Sequence, residues 1–336
     1  MVKDARITVF TARRIVTMNA SNPSATAVAV RDGRILEVGT LETLAPWLDQ
    51  HPHTIDERFA DQVLLPGLID PHLHPSMAAI LLPMKFVTAM EWQLPWGTVK
   101  PVTSHKGFMA AVTAHHEAME DPDEPLFIWG YHHLWHGHVM RAELNSISTT
   151  RPIISWQRSF HELSLNDGAF RWLDIDENRL SNAHQVDVKN GRFFESGKNF
   201  VTRKLNPYLL DSERFKDGLR RLREVVHFGG HTTIADMAIP IFDLDMEWGA
   251  LLEVLDNDET PFRVEMIANA LRIGDEMRDV DKAVEAATAL RARNTEKLRF
   301  SDHVKLFADG AFFSQLAQMD APVYIDGHHG EWMMPL

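Results

Sequence analysis

The run Gln62-Val63-Leu64-Leu65-Pro66-Gly67-Leu68-Ile69-Asp70 is almost continuously apolar and ends in Pro71-His72-Leu73-His74. Such a run predicts a strand buried on both faces, and strands of that kind belong to parallel sheets covered by helices on either side. The last third of the chain supplies partners. Asp211 or Ser212 can cap a helix in which Phe215, Leu219, Leu222 and Val226 recur at helical spacing until Gly229-Gly230 stops it. A strand over His231 to Ile239 follows, then a helix from Leu244 to Leu255 and a strand from Phe262 to Ile267. Met277, Val280, Val284, Ala287 and Leu290 mark a third helix, and His303 to Phe307 a further strand. This alternation predicts an α/β fold, a (β/α) barrel in preference to an open doubly wound sheet. No Gly-rich phosphate loop follows any of these strands, which counts against a nucleotide-binding sheet.

Residues 1–62 read as a small β module, expected to be β-sandwich-like. Ala27 to Val30 and Ile35 to Val38 flank Asp32-Gly33, the pair that favours a tight hairpin because both turn positions need positive φ. The barrel is expected over 63–336, with an irregular insertion at about 75–205 in which only Pro125 to Trp129 and Pro152 to Gln157 look like strands.

Composition narrows the chemistry. Lys plus Arg is 34 against 47 for Asp plus Glu, a formal charge of −13 that disfavours nucleic-acid partners. With no cysteine, disulfides, Cys-type zinc sites and thiol nucleophiles are excluded. The start of the chain, with Lys3, Asp4 and Arg6, lacks the apolar core of an export signal. No stretch approaches the roughly 20 apolar residues of a membrane span. A cytoplasmic protein acting on a small molecule is expected, with no nucleic-acid or membrane partner.

Histidine, at 18 residues, is the one excess. His72 and His74 lie two apart at the end of a strand, so both rings point to one face, at the barrel mouth where active sites of this fold sit. One cation could take both. The competing reading is two polar rings that cap the strand and bond to loops.

The string LLPGLIDPHLHP after a β module with a DGRI-type hairpin resembles the first barrel strand of the metal-dependent amidohydrolase superfamily. Trp129-Gly130-Tyr131, Arg151-Pro152 with His161 and Asn166, Gly230-His231-Thr232-Thr233 and Val304-Lys305-Leu306-Phe307-Ala308-Asp309-Gly310 are similar to its YtcJ-like branch. The resemblance implies a hydrolase in which one or two divalent ions, zinc by expectation, activate a water that cleaves a non-peptide C–N bond of the amide type. It implies metal ligands at His72, His74 and Lys305, and a substrate-facing His161. A protonated lysine has no lone pair, so Lys305 would ligate as a carbamate bridging two ions; otherwise it is a neutral or ion-paired lysine, with Asp309 as its partner. A structural role for His161 stands beside the pocket reading.

Four barrel strands are read, and the family's remaining histidine ligands and its aspartate base have no counterpart after Lys305, so no catalytic residue is assigned. The chain is therefore expected to be the N-terminal portion of the enzyme, unless a further segment or the second subunit of a homo-oligomer closes the sheet. The alternative is a non-catalytic binding or regulatory protein on a truncated barrel. The cluster His132, His133, His136 and His138 is expected at a loop or pocket edge rather than in a second metal site. No role falls to His115, His116, His328 or His329. Trp92, Trp96 and Trp129 are expected in the core or along a pocket.

Overall fold

The computed structural model describes residues 6–277, 279–309, 312, 317–325, 327–330 and 332. Lys3, Asp4 and Gly310 lie outside them. Two compact units divide between Leu68 and Ile69.

The first unit is a four-stranded sheet in the order β3-β2-β1-β4, built from β1 (Ile7–Val16), β2 (Ser24–Arg31), β3 (Arg34–Gly39) and β4 (His53–Leu64), with α1 (Leu41–Leu48) between the last two. Asp32 and Gly33 have φ of 52° and 71°, the left-handed pair that the hairpin requires. The β-sandwich-like expectation is corrected: among the described residues there is one sheet with one helix. Alternation explains it. Ile7, Val9, Ala27 and Ala29 bury against Leu44 and Leu48 of α1, while Ala12, Ile15, Ala25 and Val28 form a second, smaller cluster.

The second unit holds a sheet in the order β16-β15-β14-β5, from β5 (Leu68–Leu73), β14 (His231–Ile239), β15 (Arg263–Asn269) and β16 (Leu298–Lys305), in which β14, β15 and β16 run parallel. The four strands lie side by side in chain order, as in the first half of a barrel; a closed barrel is not seen among the described residues. After β5 comes α2 (Pro75–Leu81). The other crossovers use α9 (Ser212–Phe228), α10 (Leu244–Leu255), α11 (Ala270–Met277) and α12 (Val280–Ala289). Asp211 caps α9 through the Arg214 N–H at 3.1 Å. The expected third helix is two, because Asp279 accepts the Lys282 N–H and starts α12 afresh.

The apolar run over 62–70 departs from expectation twice. It is divided at Pro66-Gly67 between β4 and β5, and it is exposed: Leu65, Leu68 and Ile69 are 59%, 48% and 67% accessible. β5 is an edge strand whose single described neighbour is β14, so apolar composition alone does not bury it.

The region read as irregular is an ordered sheet. Its order is β12-β13-β11-β10-β9-β6. In chain order the elements are β6 (Lys85–Phe86), a hairpin of β7 (Trp92–Leu94) and β8 (Gly97–Val99), α3 (His105–Glu117), β9 (Leu126–Tyr131), α4 (His133–His136), α5 (Arg141–Ile147), β10 (Ile153–Gln157), β11 (Glu162–Leu165), α6 (Asp167–Trp172), α7 (Glu177–Leu180), β12 (Val186–Asp187), β13 (Arg192–Phe194) and α8 (Lys198–Leu209). Its two faces have separate cores. Phe127, Trp129, Ile154, Trp156, Leu163 and Leu165 join the large core with α9 and β14 to β16. Leu126, Ile128, Tyr131 and Ile153 pack on the other face with Phe108 and Val112 of α3 and Leu144 of α5. Arg151 and Asn166 serve this architecture. Arg151 donates to the carbonyls of Met119, Asp121 and Glu124 and to His116 Nδ1, while Asn166 bonds the backbone of Ser148, Arg151, Ile153 and Ala169.

Candidate functional site

β5 ends at Leu73, and His74 is the residue from which α2 departs, with Pro75 at the first helical position. This places the His72 and His74 rings side by side, centroids 5.2 Å apart and nearly perpendicular. Partial burial lowers the His72 pKa, and the neighbouring His74 and Lys305 push the same way, so the imidazole is held neutral, as a metal requires. Lys305 ends β16, opposite Asn269 in the β15 register, with Nζ 5.2 Å from the Phe307 ring. Asp309 accepts the Gln318 N–H at 2.8 Å, and no ion pair joins it to Lys305.

A carboxylate not foreseen from sequence completes this corner. Asp236 on β14 is buried, 1% accessible, with Oδ1 3.9 Å from His74 Nδ1 and 3.2 Å from the Ala238 N–H. Asp236 Oδ2 and His74 Nδ1 are both buried without a hydrogen-bond partner. Burial raises the Asp236 pKa, and its contacts with His74 and Ala238 oppose the rise. The signal was present: Asp236 interrupts the apolar run Ile234 to Ile239, and an acid there needs a partner. Beside it the β14–β15 register shifts between Asp236 and Ile239, an irregularity of the kind that re-aims side chains. Glu247, also buried, accepts Ser76 Oγ and the N–H groups of Ile241, Phe242 and Asp243, tying the start of α2 to the loop after β14.

A cavity of about 640 Å³ opens between the ends of the four-stranded sheet and the 85–209 segment. Its wall includes Met77, Phe242, Asn269 and Phe307 from the side of that sheet, and Trp156, Phe160 and His161 from the 85–209 segment. His161 thus lies on the cavity, whereas His72, His74 and Lys305 do not line it; Met77, one turn beyond His74, and Phe307 bring its wall to their neighbourhood. Phe160 has φ of 66°, a strained conformation for an aromatic residue, in the turn that carries His161. Trp92 and Trp129 meet edge to face behind this wall with Phe86 and Phe160, while Trp96 is exposed beside Arg221.

The histidine-rich turn separates into two roles. His132 Nδ1 accepts the Leu134 N–H; His136 is buried, its Nδ1 accepting the His132 N–H and its Nε2 donating to Val102. His133 and His138 instead approach Glu162, at 3.1 Å and 4.0 Å, on a carboxylate that Arg192 also grips through Nε and Nη2 at 2.7 and 3.1 Å. Burial alone would raise the Glu162 pKa, but hydrogen bonds from His133 and Arg192 outweigh it and hold the group at about 2. A carboxyl depressed in the folded state stabilises above its unfolded pKa and loses that contribution as pH falls towards the folded value. We expect metal-free protein to lose about 3 kcal/mol more than Glu162→Gln between pH 4.5 and 2. Urea unfolding across that range checks this; parallel curves for the two proteins would refute it.

No family model matches the chain. It superposes over 98% of its length on an uncharacterized metal-dependent hydrolase from Pyrococcus horikoshii OT3, with TM-score 0.66 and 16% identity, covering 60% of that protein. A second uncharacterized metal-dependent hydrolase, from Pyrococcus furiosus, gives TM-score 0.64 and 18% identity over 98% of this chain and 62% of the other. The chain therefore shares the mixed α/β fold of these hydrolases and spans about three fifths of their length. In sequence, 48 residues are 46% identical to the imidazolonepropionase of Pyrobaculum arsenaticum, 14% of this chain and 11% of that enzyme. Among the described residues no helix is long and apolar enough to cross a membrane.

Proposed function

We propose that the protein is a metal-dependent hydrolase that cleaves a non-peptide C–N bond of the amide type in a small molecule. One observation carries the reading. Two adjacent imidazoles stand at the end of an edge strand, and the Nδ1 of one is buried without a hydrogen-bond partner, 3.9 Å from the carboxylate of Asp236, whose Oδ2 is likewise unpartnered. A divalent ion fits this corner. His72 and His74 would hold it as neutral rings and Lys305, on adding carbon dioxide to its neutral amine, as a carbamate, while Asp236, 3.9 Å from His74 Nδ1, would orient that ring by closing to a hydrogen bond. Bound there, a divalent ion would supply Lewis acidity and lower the pKa of a water towards neutrality.

The remaining roles follow from position. Trp156 and Phe160 give the cavity an apolar wall, and His161 adds a polar group with which to orient a substrate. The volume suits a small molecule. No general base is assigned, because Asp236 is buried against His74. Elemental analysis of dialysed protein is expected to find one or two zinc-like ions per chain, and that protein to hydrolyse members of a panel of small amides and N-substituted formamides. Protein that retains no ion, or that retains ions and hydrolyses no member, would sink the reading, the second result in favour of a binding protein.

A further inference from the structure

We propose a second cation site, for a zinc-like divalent ion, formed by His133, His138 and Glu162 on the face of the insertion sheet that turns away from the cavity. The three side chains each offer one ligand atom, all within 4.8 Å of one another. The rings of His133 and His138 lie 4.4 Å apart and tilted by 58°, so their edges rather than their faces meet the carboxylate.

The local fold selects these two histidines from the five imidazoles nearby. His136 and His132 are consumed in fixing the turn, and His105 bonds the His136 carbonyl and Glu143. Gly137, with φ of 65°, then reverses the chain so that His138 returns to the side on which His133 already stands. Glu162 comes from a different element, β11. Its neighbours Leu163 and Leu165 point into the large core, and alternation along the strand puts Glu162 and Ser164 on the opposite face with Tyr131. The cavity residues Trp156, Phe160 and His161 belong elsewhere, which separates this group from the site proposed above.

An independent observation points to an occupant. The Tyr131 hydroxyl is wholly buried with Glu162 and Ser164 nearby, and neither it nor the buried hydroxyls of Ser155 and Ser164 makes a well-formed hydrogen bond. Ser155 and Ser164 are cross-strand neighbours in the β10–β11 register. Buried hydroxyls are almost always satisfied, so three of them left unpartnered close to a carboxylate point to an ion or its water as the missing partner.

The donor set names the ion class. Two imidazoles and one carboxylate oxygen suit a first-row transition ion or zinc, and disfavour calcium and magnesium, which take oxygen ligands. Arg192 cancels the charge of Glu162 without supplying a ligand. This predicts micromolar rather than picomolar affinity. An ion here would staple the turn after β9 to β11 and so brace the sheet whose other face walls the cavity.

The test uses the full 336-residue chain carrying His72→Ala and His74→Ala, so that the first site is silent whether or not it is real. Titration with cobalt(II), read by its d–d absorption, and with zinc(II), read by calorimetry, is expected to show one ion per chain. Adding His138→Ala, at an exposed position that leaves the fold intact by circular dichroism, should weaken binding at least tenfold, as should Glu162→Gln. Absence of a stoichiometric ion in the double variant, or equal affinity after His138→Ala, overturns the proposal. Metal loss in the double variant relative to the unsubstituted chain reports on the first site alone.

Discussion

Replacing His74 by alanine should leave a folded protein that no longer retains the ion of the proposed hydrolase site and turns over amide substrates at background rate. His74 is only half-buried and donates no hydrogen bond in the structure, so its removal costs little stability, about 1 kcal/mol or less. The loss at the metal should be far larger. A site held by two imidazoles and one lysine-derived oxygen has no ligand to spare. Asp236→Asn offers a graded companion: it keeps the shape and a hydrogen-bonding group but removes the carboxylate, and partners of ligating histidines typically contribute 10- to 100-fold in affinity. The expected order of zinc affinity is wild type, then Asp236→Asn, then His74→Ala, measured by competition with a chromophoric chelator. Wild-type affinity in Asp236→Asn would remove Asp236 from the site; wild-type affinity in His74→Ala would remove the site itself.

Gly218→Ala is expected to be the most damaging single methyl in the second unit. A Cβ built at Gly218 of α9 would lie 1.8 Å from the carbonyl oxygen of Ala79 and 2.6 Å from its carbon, and backbone atoms of α2 cannot swing aside as a side chain would. The helices must separate, at a cost of about 3 kcal/mol, the upper end of overpacking, or about 6 °C or more in Tm. α2 starts immediately after His74, so the shift should also weaken metal retention. Gly249→Ala on α10 provides a control of opposite sign: nothing lies within 4 Å of its added methyl, and replacing a mid-helix glycine there should stabilise by about 0.5 to 1 kcal/mol. Calorimetry of the two variants decides it, and equal melting temperatures would show that the close approach of α2 and α9 is not rigid.

What could be read before folding was whatever local physics determines. The Asp32-Gly33 hairpin, the Asp211 cap, the Gly229-Gly230 stop and the strand over His231 to Ile239 all rest on neighbours within a few residues, and the structure has each of them. The pairing of His72 with His74 followed from the period of a strand. Burial did not follow, because Leu68 and Ile69 occupy an edge, and an edge is a property of the sheet rather than of the strand. The insertion escaped for a similar reason. β6, β12 and β13 are two or three residues long, too short to show a period, and they exist because β9, β10 and β11 lie alongside. Asp236 was visible but unread, since its partner is 162 positions earlier in the chain; Glu162 lay equally open beside His161, and only the turn at Gly137 shows which histidines reach it.

The split between the strand ends and the insertion has a consequence for how such a protein can diversify. His72, Asp236 and Lys305 come from the strands of one sheet and His74 from the start of the helix after its edge strand, whereas Trp156, Phe160 and His161, on the far wall of the cavity, come from a segment folded on a sheet of its own. If the proposed function holds, substitutions in that segment can change what is accepted while the proposed cation corner stays as it is, so appetite and reactivity can be altered one at a time.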